Sequence, residues 1–480
     1  MPRSPTGKFV KTRYIASVRE TLRKHERFFL LATLAGVALR LIFLFRFPAI
    51  TADSLVYGDI AKNWLQHGIY GLSGSGGITP TYIRLPGYPA FLAAVFAIFG
   101  MEHYRTVLVL QILVDIATCF LTADAARRLF SPPAAKAAFL LTALCPFLAG
   151  YAAAALTETW EIFFTVVALD LALIGLSHSD GQMRAWLGCG LATAAAILLR
   201  PDGGLLLAAI EIYLLIVLGS LLMAGARPGS SALTRSTVFK AGLVVALAAL
   251  APLAPWTLRN RLTLHQFQPL APRYANEENS FVPMGFNRWV KTWIADYVST
   301  EEVYWAVPGS PIDVDDLPLR AFDSLQQRDE TEQLLDDYNH SLHVTPDLDA
   351  RFAALAEARI RRSPMRYYAW LPLVRIADMW LRPRTEILPC NTRWWEFDEP
   401  PQWLTLSIVL GVVNLLYVGA GKLGLLRAHW GAPVGLLLTF VLVRSIFLGT
   451  LENPEPRYTL ECYPVVIVWA SAWVGRFLAA

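Results

Sequence analysis

Two residues of this chain combine the types and placement that surface chemistry needs. Asp53 stands just past an apolar run, residues 28–47, and Arg84 stands directly before a Pro-Gly-Tyr-Pro corner. A carboxylate at a membrane boundary is tolerated, unlike one at the bilayer centre, and can accept a proton from an attacking hydroxyl. The same aspartate can instead cap a helix over residues 55–67. A guanidinium at that boundary can hold a lipid phosphate through paired hydrogen bonds, or can simply snorkel to ordinary headgroups. Further cations at the same edge are Arg200, Arg259, Arg261 and Arg457, the last inside Glu455-Pro456-Arg457-Tyr458. Each can share a phosphate or anchor a helix end. Glu158 opens an apolar run; it can bind a sugar hydroxyl, steady a cation or cap its helix. Tyr57, Tyr88 and Tyr458 flank these charges and join the substrate-binding candidates. His265 is a loop histidine with the options of base, metal ligand or neither. Arg40, Asp115, Glu211 and Arg444 lie deeper in apolar runs and are read as buried packing pairs, Arg40 with Asp115 first.

These side chains need elements to hold them at one surface. The stretch 48–89 supplies a short amphipathic helix, with Val56, Ile60 and Trp64 as its apolar stripe and Asp59 and Asn63 on its polar side. Gly68 ends that helix, a glycine-rich turn follows, and the Arg84 corner closes the stretch. Ahead of residue 28 lie Arg3, Lys8, Lys11, Arg13, Arg19, Arg23, Lys24 and Arg27, an excess of positive charge that keeps this side cytoplasmic. The run 28–47 then delivers Asp53 to the outside. Residues 88–99 are apolar but short and are laid along the outer surface as an interfacial helix, the alternative being a short, tilted span with inverted topology downstream. With 106–126 as the second span, Arg127, Arg128 and Lys136 fall inside. The remaining spans are 137–152, 160–176, 186–199, 205–223, 241–254, 403–420, 433–448 and 463–478, about ten in all with both termini inside.

Composition agrees with this reading. Of 480 residues 55% are hydrophobic and only 17% charged, and mean hydropathy is +0.42. That is the profile of a membrane protein with some extramembrane mass. A net charge of +4 without a basic, aromatic-rich tract argues against nucleic acid as a ligand. The five cysteines form no CxxC, so neither a disulfide framework nor a zinc site is expected.

The expected fold is an all-α polytopic membrane protein with two juxtamembrane helices in the first outer loop, residues 48–105. Its expected parts are an N-terminal catalytic module, 1–255, an extracytoplasmic segment, 256–401, and C-terminal transmembrane helices, 402–480. The long outer segment is acid-rich in its middle. Thr345-Pro346 and Ser363-Pro364 read as helix starts, the second opening a surface-lying helix, 365–381, kinked near Pro372. Trp289, Trp293, Trp305, Trp394 and Trp395 offer faces for sugar stacking or serve as interfacial anchors.

Several stretches, in order, resemble the GT-C class of integral-membrane glycosyltransferases. They are ADSLVYGDIAKNWLQHGIYG, RLPGYPAFLAAVFAIFG, ARRLF after the second span, LTE at 156–158, PWTLRN at 255–260 and EPRY at 455–458. The resemblance is to the bacterial branch holding protein O-mannosyltransferases, lipid A aminoarabinose transferases and core galacturonosyltransferases. It implies Asp53 as the catalytic acid of the first outer loop, and residues 55–67 and 88–99 as the two juxtamembrane helices. Arg84 falls where the aminoarabinose transferases carry a lysine that contacts the carrier phosphate. Relatives that have an Asp-Glu pair differ from the Asp53-Ser54 found here, and some have an acid where this chain has Ile83. Those departures leave open whether a divalent metal takes part; no other cofactor is expected. The Trp-Trp-Asp-Tyr-Gly signature of oligosaccharyl transferases does not occur.

The implied activity is inverting transfer of a sugar from a polyprenyl-phosphate donor to a hydroxyl of a glycan, lipid or protein acceptor, in the cell inner membrane. The alternatives are a secondary transporter, which calls for interrupted helices and repeated halves, and a non-catalytic lipid-binding membrane protein.

Overall fold

A computed structural model describes residues 24–177, 182–223, 234–277, 280–428 and 431–478. The basic residues up to Arg23, residues 178–181 and residues 227–233 of the loop 227–240 lie outside the described residues. Among the described residues helix dominates, and the sheet is one antiparallel hairpin, β1 (Gly71–Gly74) with β2 (Gly77–Pro80). The described residues include six helices long and apolar enough to cross a membrane. They are Glu26–Arg46, Tyr104–Leu129, Glu158–Leu176, Pro201–Met223, Arg235–Leu264 and Pro401–Arg427. A seventh crossing is available if Pro132–Ala143 and Pro146–Ala152, bent by 52° at their junction, count as one broken span. Pro146 at the start of the second piece has no amide hydrogen to continue the first helix, which accounts for the break. Gly87–Phe99, Met183–Leu199 and Pro433–Gly449 are apolar but shorter. The expected runs therefore recur as helices, and the all-α polytopic membrane architecture holds.

The chain divides into two compact units. The first comprises Met1–Ala271, Gly419–Phe440 and Glu461–Ala480; the second comprises Pro272–Val418 and Val441–Leu460. In the first unit, α1 (Glu26–Arg46) leads to α2 (Ala52–His67), then the hairpin, α3 (Gly87–Phe99) and α4 (Tyr104–Leu129). The bent pair is α5 (Pro132–Ala143) and α6 (Pro146–Ala152). It is followed by α7 (Glu158–Leu176), α8 (Met183–Leu199), α9 (Gly204–Met223), α10 (Arg235–Leu250) and α11 (Leu253–Leu264). Helix α7 packs along α8, α8 along α10, and α4 along α5 and α7.

Arg40 and Asp115 pair as expected. Arg40 Nε donates to Asp115 Oδ2 at 2.6 Å, and Arg40 Nη1 donates to the carbonyls of Ala143 at 2.6 Å and Gly36 at 2.9 Å. One guanidinium thus ties α1, α4 and α5 together with no exposed surface. Inside a bilayer such charges persist only when paired and hydrogen-bonded.

Two glycines shape the loop between α1 and α4. Gly68 closes α2 at φ +70°, a left-handed conformation that suits glycine. At Gly87 a Cβ would stand 2.6 Å from the Leu198 carbonyl oxygen, so the start of α3 can approach the end of α8 only without a side chain.

In the second unit, α12 (Met284–Lys291) packs on α14 (Pro346–Arg362), with α13 (Leu325–Ser341) beside it. Thr345 caps α14 as expected: its hydroxyl accepts from Leu348 N at 3.3 Å, with Pro346 in the first turn. Trp289 and Trp293 are fully buried in this unit's core with Phe286, Tyr338 and Phe352. This corrects the expectation that they offer faces to sugar; a polar stretch conceals a small core of its own. The Ser363-Pro364 signal leads into a π-helical turn, Arg366–Trp370, and a regular helix, α15 (Leu371–Leu381). The helices α16 (Pro401–Arg427) and α17 (Ala432–Gly449) each contribute to both units, and α18 (Tyr463–Val474) belongs to the first.

Candidate active site

The first unit brings Asp53 and Arg84 together. Arg84 Nη2 donates to Asp53 Oδ1 at 2.8 Å, with side chains 20% and 38% exposed respectively, so the pair is open on one side. Asp53 does not cap α2. Thr51 holds that position, its backbone N–H donating to Ser54 Oγ at 3.0 Å, which leaves the Asp53 carboxylate in the first turn and directed at Arg84. The Arg84 guanidinium also lies over the Tyr57 ring, 5.6 Å from its centroid.

Asp53 is pinned from its N-terminal side. Ala49 N donates to Ala153 O at 3.0 Å, and Ala155 N donates to Ala49 O at 2.9 Å, a two-bond bridge between the approach to α2 and the turn before α7. Gln111, a polar side chain inside α4, donates to Ala154 O at 2.6 Å and accepts from Tyr88 Oη at 2.7 Å. Tyr88 is fully buried, so its hydroxyl serves this network. That places Tyr88 under the site as support. Gln111 escaped the sequence reading; the signal for it was an amide in an otherwise apolar span.

Glu158 opens α7 directly after that turn. Arg200 Nη1 donates to Glu158 Oε1 at 3.0 Å, and Arg200 Nε meets Glu161 at 3.5 Å and Asp202 at 3.0 Å. Tyr57 lies between this cluster and the Asp53–Arg84 pair and feels the charges of both. Burial pushes its phenol up to about 12, against the pull of Arg84, so it stays neutral.

Arg84 is held from a third direction. Arg259 Nη1 donates to Thr81 O at 2.7 Å and Arg259 Nη2 to Tyr70 O at 2.6 Å, while Tyr70 Oη donates to Arg84 O at 2.9 Å. The Arg259 guanidinium stacks within 5.3 Å of both Tyr70 and Trp256. Ile60, Tyr70, Tyr82, Leu85 and Trp256 form the apolar cluster beneath. Asp59, which the sequence offers as an aid to Asp53 or as part of a solvated face, accepts from Ser73 N at 2.7 Å and Ser73 Oγ at 2.9 Å and so fastens the hairpin to α2. Arg259 therefore braces the loop that carries Arg84. Removing it deletes two charge-assisted hydrogen bonds, each worth about 1.5–3 kcal/mol. In Arg259→Ala, amide hydrogen exchange of residues 69–86 should accelerate at least tenfold, with Arg259→Lys restoring it in part because one ammonium cannot reproduce the fork. Wild-type exchange in Arg259→Ala would contradict the brace.

Arg457 and Tyr458 belong to the second unit. Arg457 Nε pairs with Glu455 Oε1 at 2.7 Å, and the guanidinium lies 5.5 Å from the Tyr458 ring centroid. Among the described residues, no group of three or more His, Cys, Asp or Glu is placed to hold a metal ion, and no step below uses one.

The first unit thus carries an acid–guanidinium pair on the loop that follows its first long apolar helix. Residues 84–256 match the model of the family described as dolichyl-phosphate-mannose-protein mannosyltransferase. No curated protein matches the chain. Among solved structures, the chain is similar to the archaeal oligosaccharyltransferase AglB from Archaeoglobus fulgidus, in complex with an inhibitory peptide and a dolichol-phosphate. They are 14% identical over 94% of this chain and 50% of that one, with a TM-score of 0.49. The chain thus spans about half the length of that relative. It is also similar to ArnT from Cupriavidus metallidurans bound to undecaprenyl phosphate, with 14% identity, 91% and 77% of the two chains covered and a TM-score of 0.40.

Proposed function

We propose that this chain is an inverting glycosyltransferase that moves a sugar from a polyprenyl-phosphate donor to an acceptor hydroxyl at the non-cytoplasmic face. The observation that carries this reading is the Arg84–Asp53 pair, 2.8 Å apart and half open, on the loop that follows the first apolar helix. The family matched by residues 84–256 is described by a lipid-phosphate sugar donor, which supports the donor class. We place the protein in a bacterial inner membrane with both termini cytoplasmic, on the charge pattern of its loops.

The chemistry follows from the pair. A carrier phosphate is already a good leaving group and needs positive charge more than a proton. An arriving phosphate competes for the Arg84 guanidinium, which neutralises the charge that grows as the C–O bond to the phosphate breaks. Withdrawal of Arg84 releases Asp53. Its carboxylate then takes the proton of the acceptor hydroxyl as that oxygen bonds to the anomeric carbon from the opposite face, through an oxocarbenium-like transition state. The configuration inverts, and polyprenyl phosphate leaves.

Purified protein in proteoliposomes, supplied with a radiolabelled undecaprenyl-phosphate hexose, tests the reading. Label should move to a polar acceptor, with release of undecaprenyl phosphate. Uptake of free sugar into the vesicles with no label leaving the lipid would replace the transferase with a transporter.

A further inference from the structure

The second unit holds a cluster of aromatic and charged side chains that its core does not use. Tyr297 and Trp305 meet edge to face with centroids 5.6 Å apart. The Arg382 guanidinium lies between Tyr297, at 5.4 Å, and Trp395, at 5.9 Å. Tyr297 is buried and forms the floor, whereas Trp305 and Trp395 are 42% and 46% exposed. The two tryptophans come from segments ninety residues apart and are locked together by a forked ion pair. Arg393 Nε and Nη2 donate to Glu302 Oε1 and Oε2, both at 2.6 Å. Such a bidentate pair fixes relative orientation as well as distance. Arg382 Nη2 donates to the Thr392 carbonyl, which fastens the segment bearing Trp395 a second time.

Carboxylates surround these rings. Glu301 and Glu386 both act electrostatically on Tyr297. Glu386 Oε1 is buried and has no protein hydrogen-bond partner. Burial, opposed by Arg384, holds the Glu386 carboxyl above its ordinary range.

From this juxtaposition we infer that Tyr297, Trp305, Arg382 and Trp395, with Glu386 at their side, form a binding platform for the pyranose rings of an oligosaccharide. The C–H faces of a sugar suit half-exposed indole rings. Its hydroxyls suit a carboxyl with a spare oxygen, because a buried acceptor left without a donor is costly. A lipid headgroup suits the place poorly: anionic heads meet Glu301, Glu302 and Glu396, and the guanidiniums of Arg382 and Arg393 are already engaged. The binding stands by itself; only the naming of this oligosaccharide as the acceptor rests on the proposed sugar transfer.

Saturation-transfer NMR on the full chain in lipid nanodiscs free of glycoside detergent tests it, with maltotetraose, cellotetraose and α-1,6-mannotetraose as probes. At least one should show transfer to its ring protons. The Trp305→Ala/Trp395→Ala double variant should lose about tenfold in affinity, the loss of two stacking contacts. Trp395→Phe should keep most of the signal, which separates lost stacking from lost folding, and Glu386→Gln, which changes the carboxyl whose Oε1 has no protein partner, should weaken binding. Silence from all three probes, or a signal unchanged in the double variant, would overturn the platform and leave the tryptophans as interfacial anchors. Asp53→Asn should bind the probes as the wild type does. If that variant also transfers sugar normally, the catalytic reading falls while the platform is judged on its own data.

Discussion

Asp53→Asn should lower sugar transfer by about two to four orders of magnitude, the usual contribution of a positioned general base. The substitution keeps the side chain's size and its ability to accept from Arg84, whose Nη2 donates to Asp53 Oδ1. It removes only the negative charge and the capacity to take a proton. The start of α2 should survive, because Thr51 and Ser54 cap that helix without help from residue 53. A folded protein that binds donor but does not turn it over is therefore the expected phenotype. Initial rates in proteoliposomes measure it, with melting temperature as the control. Wild-type rates in Asp53→Asn would remove the base from the mechanism.

The second large effect is on stability. Asp115→Ala leaves the Arg40 guanidinium without its counter-ion at a site where neither side chain has meaningful exposure. Breaking a buried ion pair by removing one partner costs about 3–5 kcal/mol, and a bilayer offers the stranded cation no water. The carbonyls of Gly36 and Ala143 still accept from Arg40 but do not neutralise it. Detergent-solubilised Asp115→Ala should melt well below wild type, whereas Arg40→Met/Asp115→Leu, which removes both charges, should recover most of the loss. A single variant that melts like wild type would show that the pair is dispensable. The effect should fall on folded yield, since α1, α4 and α5 lose their shared tie away from the Asp53–Arg84 pair.

What was legible in the sequence divides along physical lines. Long apolar runs show themselves by composition, so the spans were readable. Charges inside those runs have few affordable partners, so Arg40 with Asp115 could be named in advance. Thr345-Pro346 signalled a helix start through local chemistry, and the structure follows it. Residues near a surface are harder, because burial there depends on contacts distant in sequence. Tyr57 and Tyr88 looked alike as substrate candidates, yet Tyr88 is locked to Gln111 and lies beneath the site. Arg259 has two options in the sequence, to share a phosphate or to anchor a helix end; its two Nη atoms reach the carbonyls of Tyr70 and Thr81. Trp289 and Trp293 looked like surface aromatics within a polar stretch, and they are the centre of that unit's core. For Asp53 the sequence offers helix capping as the plain alternative. Its freedom from that duty depended on Thr51, and only backbone geometry could show which residue takes the cap.

On the proposed mechanism each of these charges has a separate task. Arg84 is expected to hold the phosphate, Asp53 to take the proton, and the Arg259–Tyr70 brace to keep the Arg84 loop at the right height. Loss of Arg84 should therefore weaken donor binding, and loss of Asp53 should spare it. One charge-assisted contact of about 1.5–3 kcal/mol corresponds to roughly tenfold to a hundredfold in affinity.

Native mass spectrometry of the purified protein titrated with an undecaprenyl-phosphate hexose measures both tasks in a single experiment. The expected result is one bound donor that decays to bound undecaprenyl phosphate in the wild type, persists intact in Asp53→Asn, and binds at least tenfold more weakly in Arg84→Gln. Undiminished binding in Arg84→Gln, or donor decay at the wild-type rate in Asp53→Asn, would contradict it.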